Sequence, residues 1–457
     1  MPKWLAFAVV VFASACVLAA DDSPKDWIDP DTGHRIIRLS EKDGSRTLYF
    51  HDNSYTPEGD KLIFNTPDGV AVVDITQLGI VPPQMEIVTQ GNNAIMARRS
   101  REVYVSRGGR GGRGFGAATQ PYAGPATQPT GRRGFGGGFG GPMGPVYAVN
   151  VDTKQERLIK NAVSTVINCD ETFGFLVVRG AAAIDPTGQT RPPATRPYVS
   201  QLQRMFPGKT MADLTTFQQY AVRKEENLAR RTLDPQPEAY TFINLKTGER
   251  KTTGYQYGDL DHQQWSPTDP NLLLYAHEGS WHEVDRTWTI RSDGSDMRLM
   301  HKRTMDMEIN GHEWWSFDGK TVWYDLQTPR STDFWIAGVN IDTGKETRYH
   351  IQRDWWGIHF NSSRDNTLFA DDGGDPSQVA YSSDGMWINL FRVQPDGTVI
   401  REKLVNMSKH NYVTGNGPGQ GGIEPNVSIT PDKKWVIFTG NMYGGNQVYA
   451  VEIAKAK

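Results

Sequence analysis

A repeated two-part pattern is the feature that most limits what this chain can fold into. In the first part, a Ser/Thr-x-Asp-type turn precedes an apolar run, as in YTPEGDKLIF, WSPTDPNLLLY, WSFDGKTVWYD, NSSRDNTLFAD and ITPDKKWVIF. The second part is again a strand, a turn and a strand, as in INLKTGERKTT, VNIDTGKETRY and VQPDGTVIREK. Each part predicts a β-hairpin.

Two hairpins per repeat predict a four-stranded antiparallel sheet, and the repeat length is that of a β-propeller blade. Ser316 follows Ser266 by 50 residues and precedes Ser362 by 46. The number of repeats predicts an all-β, seven-bladed propeller. The last repeat lacks a fourth strand, whereas HRIIRLS, residues 34–40, has no hairpin partner. We therefore expect this N-terminal strand to complete the last blade and to close the ring, which removes free sheet edges.

Length and charge limit the class of protein and its partners. The 457 residues, 37% of them hydrophobic, suffice for one large domain, predicted over residues 26–457. The formal net charge of -3 gives no bulk electrostatic reason to expect nucleic acid or an anionic membrane as a partner. No segment after the N-terminus approaches the roughly 20 apolar residues of a membrane span. The oligomeric state is left open.

The N-terminus has the layout of a secretory signal over residues 1–20, with an early lysine, an apolar run and small residues before two aspartates. Cleavage after Ala19 or Ala20 would give a periplasmic or secreted protein. Ala13-Ser14-Ala15-Cys16 loosely matches a lipoprotein box, in which Cys16 would carry a lipid anchor. Cys169 then has no disulfide partner, and we interpret it as a buried apolar residue.

Two insertions interrupt the repeats. Residues 107–146 are rich in glycine, proline and arginine, and too poor in apolar residues to offset the entropy of ordering, which predicts a low-complexity, disordered loop. Residues 196–233 contain helix formers with Asp213 as the candidate N-cap, which predicts a short helical insertion over one end of the ring.

Polar side chains occur at nearly the same place in four consecutive repeats, just ahead of the turn. They are His262, His312, His359 and the pair Glu424 and Asn426. Because a propeller gathers the starts of its innermost strands around one end of the channel, we expect these side chains to converge. One such histidine is usually structural, but the same position in consecutive repeats favours a functional site.

Several longer stretches resemble one family: WIDPDTGHRIIRLS, LYFHDNSYTPEGDKLIF, DHQQWSP, AHEGSWHEVDRTW, NGHEWWSFDG and SITPDKKWVIFTGN. The chain is similar to the oligogalacturonate lyases, seven-bladed propeller enzymes that cleave short pectin fragments. The resemblance implies β-elimination at a uronate by a histidine base, with a divalent cation, manganese in the best-known members, held by three histidines and a glutamine. The implied substrate is an oligogalacturonide or a related acidic oligosaccharide.

The resemblance also implies roles for individual residues. His262 matches the catalytic base and His312 a metal-binding histidine. Glu424 and Asn426 stand where the family has two more metal-binding histidines, and Gln420 falls near the family's glutamine. This donor set would be richer in oxygen and would favour Mn²⁺ or Ca²⁺.

We assign substrate binding to three further residues, His277, His359 and Arg286. Without a metal, an arginine such as Arg286 would have to neutralise the substrate carboxylate.

Two other functions stay open from the sequence. A glycoside hydrolase needs two carboxylates about 5–10 Å apart, and Glu278, Glu308, Glu313 and Glu424 are available, but no pair recurs in the repeats. A non-catalytic propeller that binds a glycan or a protein is the other, because a fold alone implies no activity.

Overall fold

The computed structural model describes residues 24–108, 144–188, 197–412 and 422–456. In these residues the strands form seven antiparallel sheets, the blades of a β-propeller. The predicted all-β, seven-bladed fold is confirmed. The predicted signal segment, Cys16 and most of the Gly/Arg-rich insertion lie outside the described residues.

The chain enters the ring through β1 and β2 and then forms blades 1 to 3. The strands are β1 (Asp26–Ile28) and β2 (His34–Arg38); β3 (Lys61–Thr66), β4 (Gly69–Asp74) and β5 (Met85–Thr89) in blade 1; β6 (Asn92–Met96), β7 (Glu102–Ser106), β8 (Val146–Asn150) and β9 (Glu156–Leu158) in blade 2; and β10 (Phe173–Arg179), β11 (Gln236–Asn244) and β12 (Arg250–Gly258) in blade 3.

Blades 4 to 7 complete the ring. They consist of β13 (Leu260–Trp265), β14 (Leu272–His277), β15 (Thr287–Arg291) and β16 (Arg298–Leu299); β17 (Ile309–Trp315), β18 (Thr321–Gln327), β19 (Phe334–Asn340) and β20 (Glu346–Ile351); β21 (Phe360–Ser362), β22 (Leu368–Asp371), β23 (Trp387–Val393) and β24 (Val399–Asn406); and β25 (Ser428–Ile429), β26 (Trp435–Gly440) and β27 (Gln447–Lys455).

Blade 7 is closed by the N-terminal strand, as the sequence predicts. Strand β2 pairs antiparallel with β27, with Ile36 opposite Val451 and Ile37 opposite Ala450. Strand β1 then adds a fifth strand outside β2, which the sequence did not indicate. Pairing the two ends of the domain in one sheet completes the last blade and closes the ring by backbone hydrogen bonds.

The core lies between the blades. For example, Trp314 of blade 5 stacks on Phe360 of blade 6, with ring centroids 6.3 Å apart and planes 8° from parallel. Trp323 meets Phe369 edge to face at 4.9 Å. These contacts agree with the interpretation of most aromatic residues as inter-blade packing. Cys169 is buried and free, and burial raises the pKa of its thiol.

Helices occur between β10 and β11, in α1 (Gln201–Met205) and α2 (Thr216–Leu233), and short 3₁₀ turns span Gly180–Ala183, Met211–Asp213 and Arg353–Trp355. The predicted N-cap is wrong. Thr215 caps α2 by accepting a hydrogen bond from the Gln218 N–H, and the Gln218 side chain accepts one from the Thr215 N–H. Asp213 instead accepts hydrogen bonds from Thr210 within its own 3₁₀ turn.

No helix in the described ranges is long and apolar enough to cross a membrane.

Candidate active site

Histidines lie at irregular points of two innermost strands. The β13–β14 register shifts between Asp261 and Gln264, around His262, and the β17–β18 register shifts between Asn310 and Glu313, around His312. The backbone φ of His262 is +53°, a conformation that non-glycine residues rarely adopt. Such bulges re-aim a side chain away from the regular sheet direction. Both imidazoles are thereby turned out of the pleat.

A buried aspartate accepts the backbone N–H of each of these histidines. Asp261 Oδ1 lies 2.9 Å from the His262 nitrogen, and Asp325 Oδ1 lies 2.7 Å from the His312 nitrogen. In the next blade, His359 directly precedes β21, and its N–H donates to Asp372 Oδ1 at 3.0 Å. These bonds satisfy the buried N–H groups that the sheet leaves unpaired at these positions.

The rings of His262, His312 and His359 are in contact, and we call them the histidine cluster. The His262 and His312 centroids are 5.3 Å apart, and those of His312 and His359 are 4.7 Å apart. All three residues are buried. The structure thus brings together three of the side chains that the repeat pattern singled out.

The segment ahead of blade 1 adds aromatic residues that the sequence analysis did not identify. The ring centroid of Tyr49 lies 5.7 Å from that of His262, and the ring of Phe50 lies 5.0 Å from that of His359. His51 lies 5.8 Å from His262. The cluster is therefore enclosed by a chain segment more than two hundred residues away in sequence.

Carboxylates face both ring nitrogens of His262. Its Nε2 lies 3.5 Å from Glu278 Oε1 and its Nδ1 lies 3.8 Å from Glu313 Oε1. Arg286, which is fully buried, donates to Glu278 at 2.7 Å and to Glu313 at 3.0 Å. Burial and the charge of Arg286 hold the pKa of His262 well below its ordinary value. His262 is accordingly neutral at neutral pH.

His359 is in a different electrostatic environment. Its Nδ1 lies 2.7 Å from Asp372 Oδ2, and its Nε2 lies 3.4 Å from the Tyr49 hydroxyl and 3.8 Å from Glu424 Oε2. Burial alone would lower the pKa of His359, but the charges of Asp372 and Glu424 outweigh it and raise the pKa. Asp372 also fixes the orientation of the ring.

Glu424 and Asn426, which precede β25, have different roles. The carboxylate of Glu424 is 43% exposed and faces the cluster. Asn426 has a φ of +49°, and its amide is engaged with the backbone: Oδ1 accepts from the Phe50 N–H at 3.1 Å, and Nδ2 donates to the Glu424 carbonyl at 3.2 Å. Asn426 therefore supports the local turn in this arrangement.

The other predicted site residues lie apart from the cluster or beyond the described residues. His277 Nε2 lies 2.6 Å from Gln256 Oε1, and the ring packs at 5.5 Å from that of Trp288 in blade 4. Gln420 falls in residues 413–421, outside the described residues.

The described residues do not fit a complete metal site. Across those ranges, no group of three or more histidine, cysteine, aspartate or glutamate side chains is arranged to hold a metal ion. One feature does suit a ligand: His312 Nδ1 is buried and has no hydrogen-bond partner in the described part of the chain. Burial and the neighbouring histidines also keep the pKa of His312 well below its ordinary value.

Comparison with known proteins agrees with this architecture. Residues 236–456 match the family model described as oligogalacturonate lyase. Curated relatives include an oligogalacturonide lyase of Pectobacterium atrosepticum, 28% identical over 219 residues, and an oligogalacturonate lyase of Dickeya dadantii, 30% identical over 221 residues. Each alignment covers 46% of this chain and 54% of the relative, so the chain spans about half the length of the curated relatives it matches.

Solved structures show the same fold over the whole ring. An oligogalacturonate lyase in complex with manganese superposes with a TM-score of 0.64 at 18% identity, covering 94% of this chain and 96% of that one. An oligogalacturonate lyase from Vibrio parahaemolyticus gives a TM-score of 0.63 at 18% identity, with the same coverage.

Fold and site together define a seven-bladed β-propeller with a buried histidine cluster built from the starts of consecutive blades. Residues 236–456, just under half of the chain, are similar to the oligogalacturonate lyase family. The histidine cluster and Glu424 all lie within the matched residues.

Proposed function

We propose that this protein is an exported lyase that cleaves oligogalacturonides or related acidic oligosaccharides by β-elimination at a uronate, with His262 as the base. The observation that carries the proposal is the contact of His262, His312 and His359 at the starts of three consecutive blades. The match of residues 236–456 to the oligogalacturonate lyase family model supports a lyase acting on pectin-derived chains.

His262 suits removal of the C5 proton of a uronate. Its lowered pKa leaves the imidazole neutral, so that it accepts a proton without first losing one. The neighbouring carboxylates of Glu278 and Glu313 would stabilise the imidazolium that forms. Arg286 offsets part of this effect by pairing with both. Breakage of the C4–O4 bond then leaves an unsaturated uronate, and the departing O4 takes a proton from water or a neighbouring hydroxyl.

The substrate carboxylate must be neutralised for this proton to be removable, because negative charge develops next to it. A divalent cation, which the family resemblance implies, would supply that neutralisation as a Lewis acid, and among the described residues His312 and Glu424 would be its ligands. Among the described residues, the protein's own cationic side chains are the other source of positive charge.

The reaction also requires access to a buried base. The His262 side chain is 2% exposed, whereas a general base acts within about 3 Å of the proton it removes. Residues that border the cluster must therefore move apart when the oligosaccharide binds. Glu424, at 43% exposed, is on the accessible side.

Ultraviolet absorbance tests the proposal, because elimination creates a conjugated double bond and hydrolysis does not. Trigalacturonate and other acidic oligosaccharides would be incubated with the wild type, His262→Ala and His350→Ala. His350 lies on β20 with a side chain 54% exposed, and is the matched control.

Absorbance should rise with the wild type and His350→Ala, and fall by at least about a hundredfold with His262→Ala, the range of general-base catalysis. Full activity of His262→Ala would refute the assignment of the base. New reducing ends without absorbance would indicate a glycoside hydrolase instead. Binding without either product would indicate a non-catalytic propeller.

A further inference from the structure

The helical insertion is attached to the end of the ring that holds the histidine cluster. Thr232 Oγ1 of α2 accepts the Ser280 N–H at 2.6 Å, and Arg231 Nε lies 3.0 Å from Asp259 Oδ2. Glu225 pairs with Arg330 at 2.7 Å. Ser280 and Asp259 flank β14 and β13 of blade 4, and Arg330 follows β18 of blade 5. Helix α2 is thus fixed to two of the blades that supply the cluster.

Lys224 extends from this helix toward the cluster. It lies one turn before Leu228, which packs with Trp281 and Ile309, so both side chains share one face of α2. Lys224 Nζ lies 5.1 Å from the centroid of the Trp281 ring. Trp281 also meets His312 edge to face, with centroids 5.0 Å apart. One indole therefore contacts both the ammonium and the cluster.

Trp281 is contacted by two cations, and they differ in what they are paired with. The Arg286 guanidinium, 5.0 Å from the ring centroid, is bonded to Glu278 and Glu313. The ammonium of Lys224 makes no side-chain hydrogen bond and no ion pair with the described residues. A half-buried ammonium without a counter-ion is electrostatically costly, unless a ligand supplies the negative charge.

The surrounding charges are consistent with an anion-binding role. Burial lowers the pKa of Lys224, while the carboxylates of Glu424, Glu225 and Glu278 counteract this effect. The pKa of His312 is lowered chiefly by burial, and the charge of Lys224 contributes to this lowering. Lys224 is thus electrostatically coupled to both the cluster and Glu424.

We infer that Lys224, held over Trp281 by α2, is the protein's own counter-ion for a carboxylate of the substrate. The inference rests on the proposed function, because it assumes an acidic oligosaccharide. It makes the helical insertion part of the binding site and Lys224 a residue that selects uronates over neutral sugars. It also assigns to lysine the substrate-binding role that the sequence suggested for Arg286.

Binding of trigalacturonate and of its fully methyl-esterified form would be measured by calorimetry. The background is His262→Ala, so that turnover does not consume the ligand. Lys224→Met keeps the aliphatic stem on Trp281 but removes the charge. Arg223→Met, an exposed neighbour on α2, is the matched control. Lys224→Arg restores a cation, and thermal melting verifies that each variant folds.

We expect Lys224→Met to weaken trigalacturonate binding by at least about tenfold, the effect of a charge-assisted hydrogen bond. Lys224→Arg should recover most of the affinity, and Arg223→Met should leave it unchanged. The methyl ester should bind equally well to the parent protein and to its Lys224→Met variant. Unchanged trigalacturonate binding by Lys224→Met, equal loss for the ester, or no binding of trigalacturonate by the parent protein would overturn the inference.

The experiment separates this inference from the proposed function. Lys224-dependent binding without ultraviolet absorbance from the protein that retains His262 would refute the lyase and keep the role of Lys224. Elimination whose KM and kcat are both unaffected by Lys224→Met would refute the role of Lys224 and keep the lyase.

Discussion

The guanidinium of Arg286 and the carboxylate of Glu313 form an ion pair inside the protein, with Nε 3.0 Å from Oε2 and both side chains fully buried. Arg286 also holds Glu278 at 2.7 Å. The two carboxylates in turn face the ring nitrogens of His262. Arg286 thus holds in place the two carboxylates that lie beside His262.

Replacement of Arg286 by methionine should therefore destabilise the fold. It would leave two buried carboxylates without their counter-charge, which costs about 3–5 kcal/mol. Urea unfolding measures the loss. Arg291→Met is the control, since Arg291 is 39% exposed and its ion pair with Asp269 is worth at most about 1 kcal/mol. An Arg286→Met variant of normal stability but raised KM would support direct substrate binding instead.

Stability should decrease as pH rises above the ordinary histidine value, in part because of His301. This buried ring lies between Glu308, at 2.7 Å from Nε2, and Glu346, at 2.8 Å from Nδ1. Burial alone would lower the pKa of His301, but hydrogen bonds and charge from Glu346 and Glu308 raise it.

A raised folded pKa means that this stabilisation is complete below about pH 6.5, the unfolded value, and is lost as pH rises through the folded pKa. The free energy of unfolding of the wild type should therefore fall over that interval. His301→Gln should show a smaller decrease in urea titrations at several pH values. An identical pH dependence in both proteins would assign the effect to other groups.

Removal of divalent cations tests the cofactor that the resemblance implies. We expect a chelator to reduce elimination by at least about tenfold, since Lewis-acid neutralisation contributes several kcal/mol, and added Mn²⁺ or Ca²⁺ to restore it. Glu424→Gln should raise the cation concentration needed for restoration, whereas Glu402→Gln, distant on β24, should not. Activity that is indifferent to chelator would leave neutralisation to side chains such as Lys224.

Deletion of residues 109–143 should leave the fold intact. Strands β7 and β8, on either side of the insertion, pair directly, with Ser106 opposite Val146, so a short turn can replace it. Arg107 is kept, because it donates to Glu156 and Thr89. Thermal melting should show a decrease of no more than about 2 °C, because about 1 kcal/mol lowers the melting temperature by about 2–4 °C in a domain of 150–250 residues and by less in a larger one. A much larger decrease would show that the insertion packs against the ring.

Export predicts processing at the N-terminus. Mass spectrometry of the protein from its native host should find a chain that starts after Ala19 or Ala20, or a lipid-modified Cys16. An unprocessed Met1 would contradict export. Because Cys169 is buried and free, reductant should not change the melting temperature.

The fold was predictable because its signals are local. Each hairpin carries its own turn residues and alternating apolar positions, so that repeats such as Ser266 to Ser316 could be counted without knowing how they pack. Closure followed from an unpaired strand at one end and an incomplete blade at the other. The N-cap of α2 was misplaced because Asp213 and Thr215 are both good caps, and the turn around Thr210 decides between them.

The sequence by itself determined that His262, His312 and His359 would meet, because a ring of repeats brings equal positions to one place. His312 and His262 each stand four residues before the serine of their turn, whereas His51 stands five residues before Thr56. Because its position in the repeat differs by one residue, the repeat pattern did not identify His51 as a site residue.

Only the tertiary structure decided which charges are paired. Arg286 is bonded to Glu278 and Glu313, and Lys224 reaches Trp281 from another blade. These contacts depend on distances between segments far apart in the chain, and on competition between partners for the same charge. No local pattern of residues encodes these distances or this competition.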